Sequence, residues 1–249
     1  MSAAAPPVSR VLAQGRFETL AVLRNGEQLL VTLIIPVVAL IALGRSSFLD
    51  IGVGDAARID VVTPGILGLA VMAGSMTSQA IATAFDRRNG VLRLLATTPL
   101  GRGGLLAGKA VAVLAVAAVQ VIVVGAVGLL LGWRPEPAGI PTAVLALLLG
   151  VAAFTALALL LAGTLRAEAV LAAANLLLVL LAVVGGVVLP VADLPGWWAE
   201  VAVWLPPGAL GEALRTALVD GGFPAVHLVV LAGWTLLLGA GVRRWFRWS

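Results

Sequence analysis

Residues 137–165 read PAGIPTAVLALLLGVAAFTALALLLAGTL, and no charged side chain occurs between Glu136 and Arg166. An α-helix rises about 1.5 Å per residue, so a stretch of this length can cross a hydrocarbon core of about 30 Å. The segment therefore predicts a transmembrane helix.

The composition of the whole chain agrees with this prediction. Of the 249 residues, 61% are apolar and only 11% are charged, whereas soluble domains are roughly 45–50% apolar. The chain contains no cysteine, which excludes a disulfide framework and a thiolate metal site. We expect an all-α integral membrane protein of six transmembrane helices, forming a single domain over residues 1–249. The other five charge-free stretches are 28–44, 61–85, 110–133, 169–192 and 221–242.

The basic residues predict the orientation of these helices. If the six stretches alternate in direction, twelve of the sixteen basic residues fall on one side, which the positive-inside rule assigns to the cytoplasm. Both termini are then cytoplasmic in a multi-pass protein of the cell membrane. Topology also explains the basic excess, so nucleic acid is not expected as a partner, whereas membrane lipids are. The twelve residues are Arg10, Arg16, Arg24, Arg87, Arg88, Arg93, Arg102, Lys109, Arg166, Arg243, Arg244 and Arg247.

Three segments outside the predicted spans have patterns of their own. Residues 9–26 place apolar and polar positions at helical spacing, which favours an amphipathic helix lying in the cytoplasmic interface. Residues 86–109 form the one long cytoplasmic loop. Residues 193–220 combine tryptophans with several prolines, and we expect this segment to re-enter the outer leaflet as short helices before the last span.

The cytoplasmic loop contains a predicted short helix, which begins near Asn89-Gly90 and ends at Pro99. From the residues alone, two interpretations stay open. The helix could be a connector that lies on anionic headgroups, or it could dock into a groove of a partner protein through its leucines and charged flanks. The candidate residues are Asp86, Arg87, Arg88, Gly90, Leu92, Leu95, Thr98 and Pro99.

This loop resembles the segment between the second and third spans of the type-2 ATP-binding cassette (ABC) exporter permeases, in which a charged start, a glycine, spaced leucines, a Thr-Pro pair and a later lysine recur. The matching residues are Asp86, Arg87, Gly90, Leu92, Leu95, Thr98, Pro99 and Lys109. Residues 194–198, 205–208 and 212–215 are similar to the re-entrant segment of the same family. One departure is that two arginines follow Asp86, where an acidic residue is common.

The resemblance implies a permease subunit that moves a hydrophobic or amphipathic, drug-like or lipid-like substrate out of the cytoplasm or the inner leaflet. It also implies ABC ATPase subunits and a second permease subunit as partners, in a homodimer or a heterodimer. ATP and Mg²⁺ would bind to the ATPase, so no cofactor, metal or catalytic residue is expected on this chain. Relatives also export polysaccharides on lipid carriers or serve cofactor delivery, and these alternatives stay open.

Polar residues inside the predicted spans are few, and they have two interpretations. They could form hydrogen bonds between helices, which is common in bundles. Alternatively they could line a substrate path, since the resemblance implies that the second and fifth spans border it. The candidate path residues are Met72, Ser75, Gln79 and Asn175.

Three other functions are disfavoured by the residues. Residues 103–109 fit the G-x-x-x-x-G-K pattern of a phosphate-binding loop, but Ala110 lacks the hydroxyl that would hold Mg²⁺. An ion-coupled carrier needs ionisable groups at membrane depth, and the six charge-free stretches contain no acid, lysine or arginine. A membrane-embedded enzyme is the least favoured alternative, because the sequence has neither clustered aspartates at the cytoplasmic rim nor an H-E-x-x-H motif.

Overall fold

The computed structural model of the chain describes residues 5–45 and 57–247. In this part of the chain the regular structure is helical, without a strand. The helices are α1 (Pro7–Leu23), α2 (26–45, with a π-helical turn at Leu30–Ile34), α3 (Arg58–Arg88, with a π-helical turn at Ala73–Ser78), α4 (Val91–Ala96), α5 (Gly101–Leu130), α6 (Ile140–Thr164), α7 (Ala167–Val184), α8 (Gly196–Ala202), α9 (Pro206–Leu218) and α10 (Ala225–Trp245).

Five of these helices are long and apolar enough to cross a membrane by length and composition: α3, α5, α6, α7 and α10. In α2 the apolar part, Leu30–Arg45, is shorter. The expectation of an all-α membrane protein is thus confirmed, while the count of six spans stays a prediction. Many large apolar side chains on these helices are exposed, Leu130 and Leu236 among them, as expected for a surface that faces lipid or another membrane chain.

The helix α3 lies at the centre of the bundle. In its most apolar 18-residue window 89% of the residues are buried, against 17% to 33% in the other four long helices. It packs against α2, α5, α6, α7 and α9, and Ile66, Met72 and Met76 are fully buried in its middle. Any movement of α3 therefore involves most of the subunit.

The two ends of the bundle differ in the chain segments that they carry. One end, called the basic end below, holds α1, α4, the turn at 165–166 and the last turn of α10. There Arg10 donates to the carbonyl of Pro99, and the backbone N–H of Arg247 donates to the carbonyl of Gly163 at 3.3 Å. The opposite end holds α8 and α9. Basic residues that were predicted to be cytoplasmic, such as Arg10, Arg87 and Arg166, lie at the basic end. The side of the membrane that this end faces stays a prediction.

Two predicted boundaries are wrong. The loop expected over 86–109 is shorter, because α3 continues to Arg88 and α5 begins at Gly101. Lys109 is therefore a buried residue two turns inside α5 rather than a loop residue. The fifth stretch, 169–192, is helical only to Val184, because the chain turns at Gly186, whose φ of +76° is left-handed.

The segment 193–220 folds as two helices, as expected from its prolines and tryptophans. In α8 the indole N–H of Trp198 donates to the carbonyl of Val184 at 2.6 Å. The following helix α9 is buried along nearly its whole length against α3, α6 and α10. Its insertion into a membrane stays a prediction.

Candidate functional site

The short helix α4 is bounded by two glycines in the left-handed region, Gly90 (φ +76°) and Gly101 (φ +67°). A side chain at either position would add about 1–2 kcal/mol of backbone strain. These glycines set the turns by which the chain leaves α3 and enters α5. The positive φ explains why a glycine occupies position 90, while its role in coupling to an ATPase stays a prediction.

The leucines of α4 point in different directions. Leu92 is 1% exposed and fixes α4 to the bundle, while Leu95 is partly buried. Leu94, which sequence reasoning did not select, is 67% exposed and lies beside exposed Arg93. The helical spacing could have indicated this exposure. Leu92 and Leu95 lie three residues apart and share a helix face, so if that face packs against the core, Leu94 lies outside.

The turn after α4 is stabilised by Thr98. Its hydroxyl donates to the carbonyl of Leu95 at 2.6 Å and accepts from the backbone N–H of Leu100 at 3.3 Å. Pro99 is exposed, and its carbonyl accepts the hydrogen bond from Arg10 of α1. Thr98 and Pro99 thus shape the end of α4 and attach it to the N-terminal helix.

Asp86, Arg87 and Arg88 lie in the last turn of α3 and fasten it to neighbouring segments. Arg87 donates to the carbonyl of Leu165, and Arg88 forms an ion pair with Glu168 at the start of α7. The carboxylate of Asp86 accepts from Lys109 Nζ at 2.9 Å. These three side chains connect α3 to α5 and to the start of α7.

A polar cluster, called the Lys109 cluster below, joins three helices at the basic end. Lys109 of α5 contacts Asp86 of α3 and also Glu18 of α1, whose Oε2 lies 3.2 Å from Nζ. Gln14 donates to the other oxygen of Glu18 at 2.8 Å. The side chain of Lys109 is almost fully buried, so its two carboxylates balance a charge that would otherwise be costly there.

The four candidate path residues differ in burial, and of the four only Gln79 lines the cleft at the basic end. Met72 and Ser75 are buried inside the bundle, and the Ser75 hydroxyl donates to the carbonyl of Val71 at 2.6 Å. Asn175 is exposed on α7. Gln79 is 5% exposed and lines a cleft of about 320 Å³ at the basic end, together with residues of α1, α4 and α5.

Gln120 of α5 links the two helices that contain π-helical turns. Its Nε2 donates to the carbonyl of Thr32, inside the π-helical turn of α2, at 2.8 Å. It also donates to the carbonyl of Ala70, just before the π-helical turn of α3, at 2.9 Å. The sequence alone assigns Gln120 no role, because the two π-helical turns that it links have no clear sequence signal.

At the opposite end, the buried Arg215 of α9 holds the chain that follows α7. Its guanidinium donates to the carbonyls of Gly186, Val187 and Leu189 at 2.7, 3.1 and 3.2 Å. It also pairs with Glu212 at 2.8 Å, and Glu212 accepts from the backbone N–H of Val191 at 2.8 Å. Arg215 thus satisfies backbone carbonyls of the irregular segment after α7, where no helix supplies their partners.

The described residues contain no group of three or more His, Cys, Asp or Glu side chains that could hold a metal ion. The segment 103–110, which resembles a phosphate-binding loop in sequence, lies inside α5. Its glycines therefore form helix rather than a loop, and Lys109 faces Asp86 and Glu18.

A family model described as ABC-2 type transporter matches residues 10–219, which include α1 to α9 apart from the first residues of α1. No curated protein matches the chain.

Proposed function

Because the chain belongs to the ABC-2 type transporter family, and is therefore a membrane permease component of an ABC transporter, we propose that it works as the permease half of an exporter. The proposed substrate is hydrophobic or amphipathic, and it moves out of the cytoplasm or the inner leaflet. Permeases of this family work with ABC ATPase partners, and we assign ATP and Mg²⁺ binding to those subunits.

The observation that carries the proposal is the geometry of α4. A helix of six residues presents Arg93 and Leu94 outward from the basic end, while Leu92 anchors it from behind. One apolar side chain flanked by a basic one suits a groove on a partner protein. We therefore propose α4 as the coupling helix that receives movement from the ATPase.

The contacts behind α4 give this movement a route into the bundle. Asp86, at the end of α3, is tied to Lys109 of α5, and Arg88 is tied to Glu168 of α7. Pro99, after α4, is tied to Arg10 of α1. A displacement of α4 would therefore act on four helices together, which is what alternating access by a rocking bundle requires.

A second permease subunit would complete the path. The helix α7 exposes Leu176, Val179 and Val183 together with the amide of Asn175. We propose that Asn175 faces the path between two permease subunits. The complete burial of Met72 and Ser75 supports the packing role that the sequence left open for them.

A cross-linking experiment tests the proposal directly. The chain contains no cysteine, so a Leu94→Cys variant carries a single thiol, to which a photoreactive maleimide can be attached. In membranes of the source organism we expect this thiol to cross-link to an ABC ATPase that peptide sequencing identifies. Leu130→Cys, which is highly exposed at the opposite end, is the matched control. The proposal is wrong if a folded, transport-active Leu94→Cys protein yields no ATPase cross-link.

A further inference from the structure

The cleft that Gln79 lines lies between α1 and the helices α3, α4 and α5 at the basic end. Its volume of about 320 Å³ falls at the lower end of the range of roughly 300–1,000 Å³ for small-molecule sites. Its walls combine six apolar residues, including Phe17 and Val22 of α1 and Leu95 of α4, with seven polar or charged ones. This mixture is typical of a site for an amphipathic ligand.

The charge of the cleft favours a cation. Among the side chains that the structure describes, the charged ones lining it are Glu18, Asp86 and Lys109. With all three ionised, two carboxylates face one ammonium group, which leaves one excess negative charge. Glu18 and Asp86 already share Lys109, so a positively charged ligand would balance the remaining charge while an anion would be repelled.

Gln79 gives a second and independent indication of a ligand. Its side chain is 5% exposed, and among the described residues its amide has no hydrogen-bond partner, although it borders the cleft. Its amide atoms are not among the fully buried unpartnered atoms of the described residues, so the amide reaches the open space of the cleft. A ligand with a polar group in the cleft would supply the missing hydrogen bond.

Gln79 and Asp86 also define the length of the ligand. They lie seven residues apart in α3, so they share one helix face and are separated by about 10 Å along the axis. A molecule that contacts both must extend over about that distance. Phe17 and Val22 lie along the facing wall, where they would cover its apolar part.

We propose that this cleft binds an amphipathic organic cation, with its positive charge beside Glu18 and Asp86 and a polar group on Gln79. The identification of this cation as the exported substrate rests on the proposed function, whereas the binding itself does not. The substrate class of the permease would then be a cationic amphiphile that enters beside α1.

The test uses the full chain in lipid nanodiscs without an ATPase. Ethidium, a flat aromatic cation with two amino groups, is the probe, and anilinonaphthalene sulfonate, an aromatic anion, is its counterpart; binding to empty nanodiscs is subtracted. We expect saturable binding of ethidium only. Glu18→Gln and Gln79→Leu should each weaken it by about three- to tenfold, since one charge or one hydrogen bond is removed. Glu168→Gln, which removes a carboxylate outside the cleft, should leave the affinity unchanged.

A second measurement keeps the proposal testable if a cleft variant does not fold. Ala21 is exposed and lines the cleft, so Ala21→Cys introduces a single thiol there. Ethidium should slow its reaction with a maleimide by about threefold or more, by occupying the site, without slowing Leu130→Cys. Equal binding of the anion, unchanged affinity in both folded variants, or no protection at position 21 would each overturn the proposed cation site.

Failure of this proposal is distinguishable from failure of the proposed function. An ATPase cross-link from Leu94→Cys combined with no ethidium binding leaves the permease role intact and removes only the cation site. Conversely, ethidium binding in the cleft without an ATPase cross-link contradicts α4 as the coupling helix and leaves the cation site intact.

Discussion

Lys109 Nζ lies 2.9 Å from Asp86 Oδ2, so a salt bridge between residues 23 positions apart closes the segment that contains α4. The same ammonium group contacts Glu18 of α1 at 3.2 Å. The helices before and after α4, which is proposed to receive movement from an ATPase, are therefore joined directly by a salt bridge. The segment can move as one piece with the ends of α3 and α5.

Removal of this ammonium group should destabilise the permease. In Lys109→Met, Asp86 and Glu18 lose their shared cation and repel each other across a half-buried space. We expect a loss of about 1–3 kcal/mol in the free energy of unfolding, measured by denaturant titration in detergent micelles. Arg88→Gln removes the exposed ion pair with Glu168 and should cost less than about 1 kcal/mol. Equal losses in the two variants would contradict the special role of Lys109.

Every replacement of Arg215, including lysine, should destabilise the fold. A single ammonium group cannot reach the carbonyls of Gly186, Val187 and Leu189 together with Glu212. We expect Arg215→Lys to cost about 1–3 kcal/mol and Arg215→Met about 3–5 kcal/mol, read as lowered unfolding temperatures. Arg134→Lys, an exposed change at the same end, is the control and should have almost no effect. A stable Arg215→Met protein would refute this assignment.

Gln120 and Gly74 should be energetically coupled. A Cβ atom at position 74 would lie 2.8 Å from Gln120 Nε2, so Gly74→Ala should displace the amide that links α2 and α3. We expect Gly74→Ala and Gln120→Ala each to cost about 1–3 kcal/mol. Their double variant should cost less than the sum by about 0.5 kcal/mol or more. If the two losses in free energy of unfolding simply add in the double variant, the close contact between position 74 and the Gln120 amide does not affect stability.

Two neighbouring leucines of α4 should respond in opposite ways. Leu92→Asp places a charge in the core and should lower the unfolding temperature or prevent folding, since a buried unpaired carboxylate costs several kcal/mol. Leu94→Asp changes an exposed position, so its stability should stay within about 0.5 kcal/mol of the unmodified chain. Thermal unfolding of both variants in the same detergent measures the contrast. A comparable loss in both would mean that α4 packs differently.

Much of the fold could be predicted from local composition. The helix α6, Ile140–Thr164, lies within the predicted stretch 137–165, because a side chain in contact with lipid must be uncharged and this requirement is visible residue by residue. The end of α7 could not be predicted in this way. It depends on Gly186 and on Arg215, which lies 29 residues further along the chain and contacts Gly186 only through the tertiary fold.

The candidate site was predictable in part for the same reason. The position of a short helix between Gly90 and Pro99 follows from local signals, and the structure contains α4 there. The difference in exposure between Leu92 and Leu94 depends on which face of α4 packs against the bundle. The burial of Lys109 depends on α1, whose Glu18 lies 91 residues earlier in the chain. Neither is visible without the tertiary contacts.

ATP hydrolysis in complexes purified through the affinity-tagged chain tests the central claim most directly. Tagged unmodified permease and tagged Leu94→Asp are purified from membranes of the source organism in equal amounts. The proposal predicts that the unmodified permease brings down an ABC ATPase and hydrolyses ATP, while Leu94→Asp retains little of either. Full ATPase recovery with Leu94→Asp, or uphill ethidium transport by the permease alone in liposomes, would contradict a separate ATPase acting through α4.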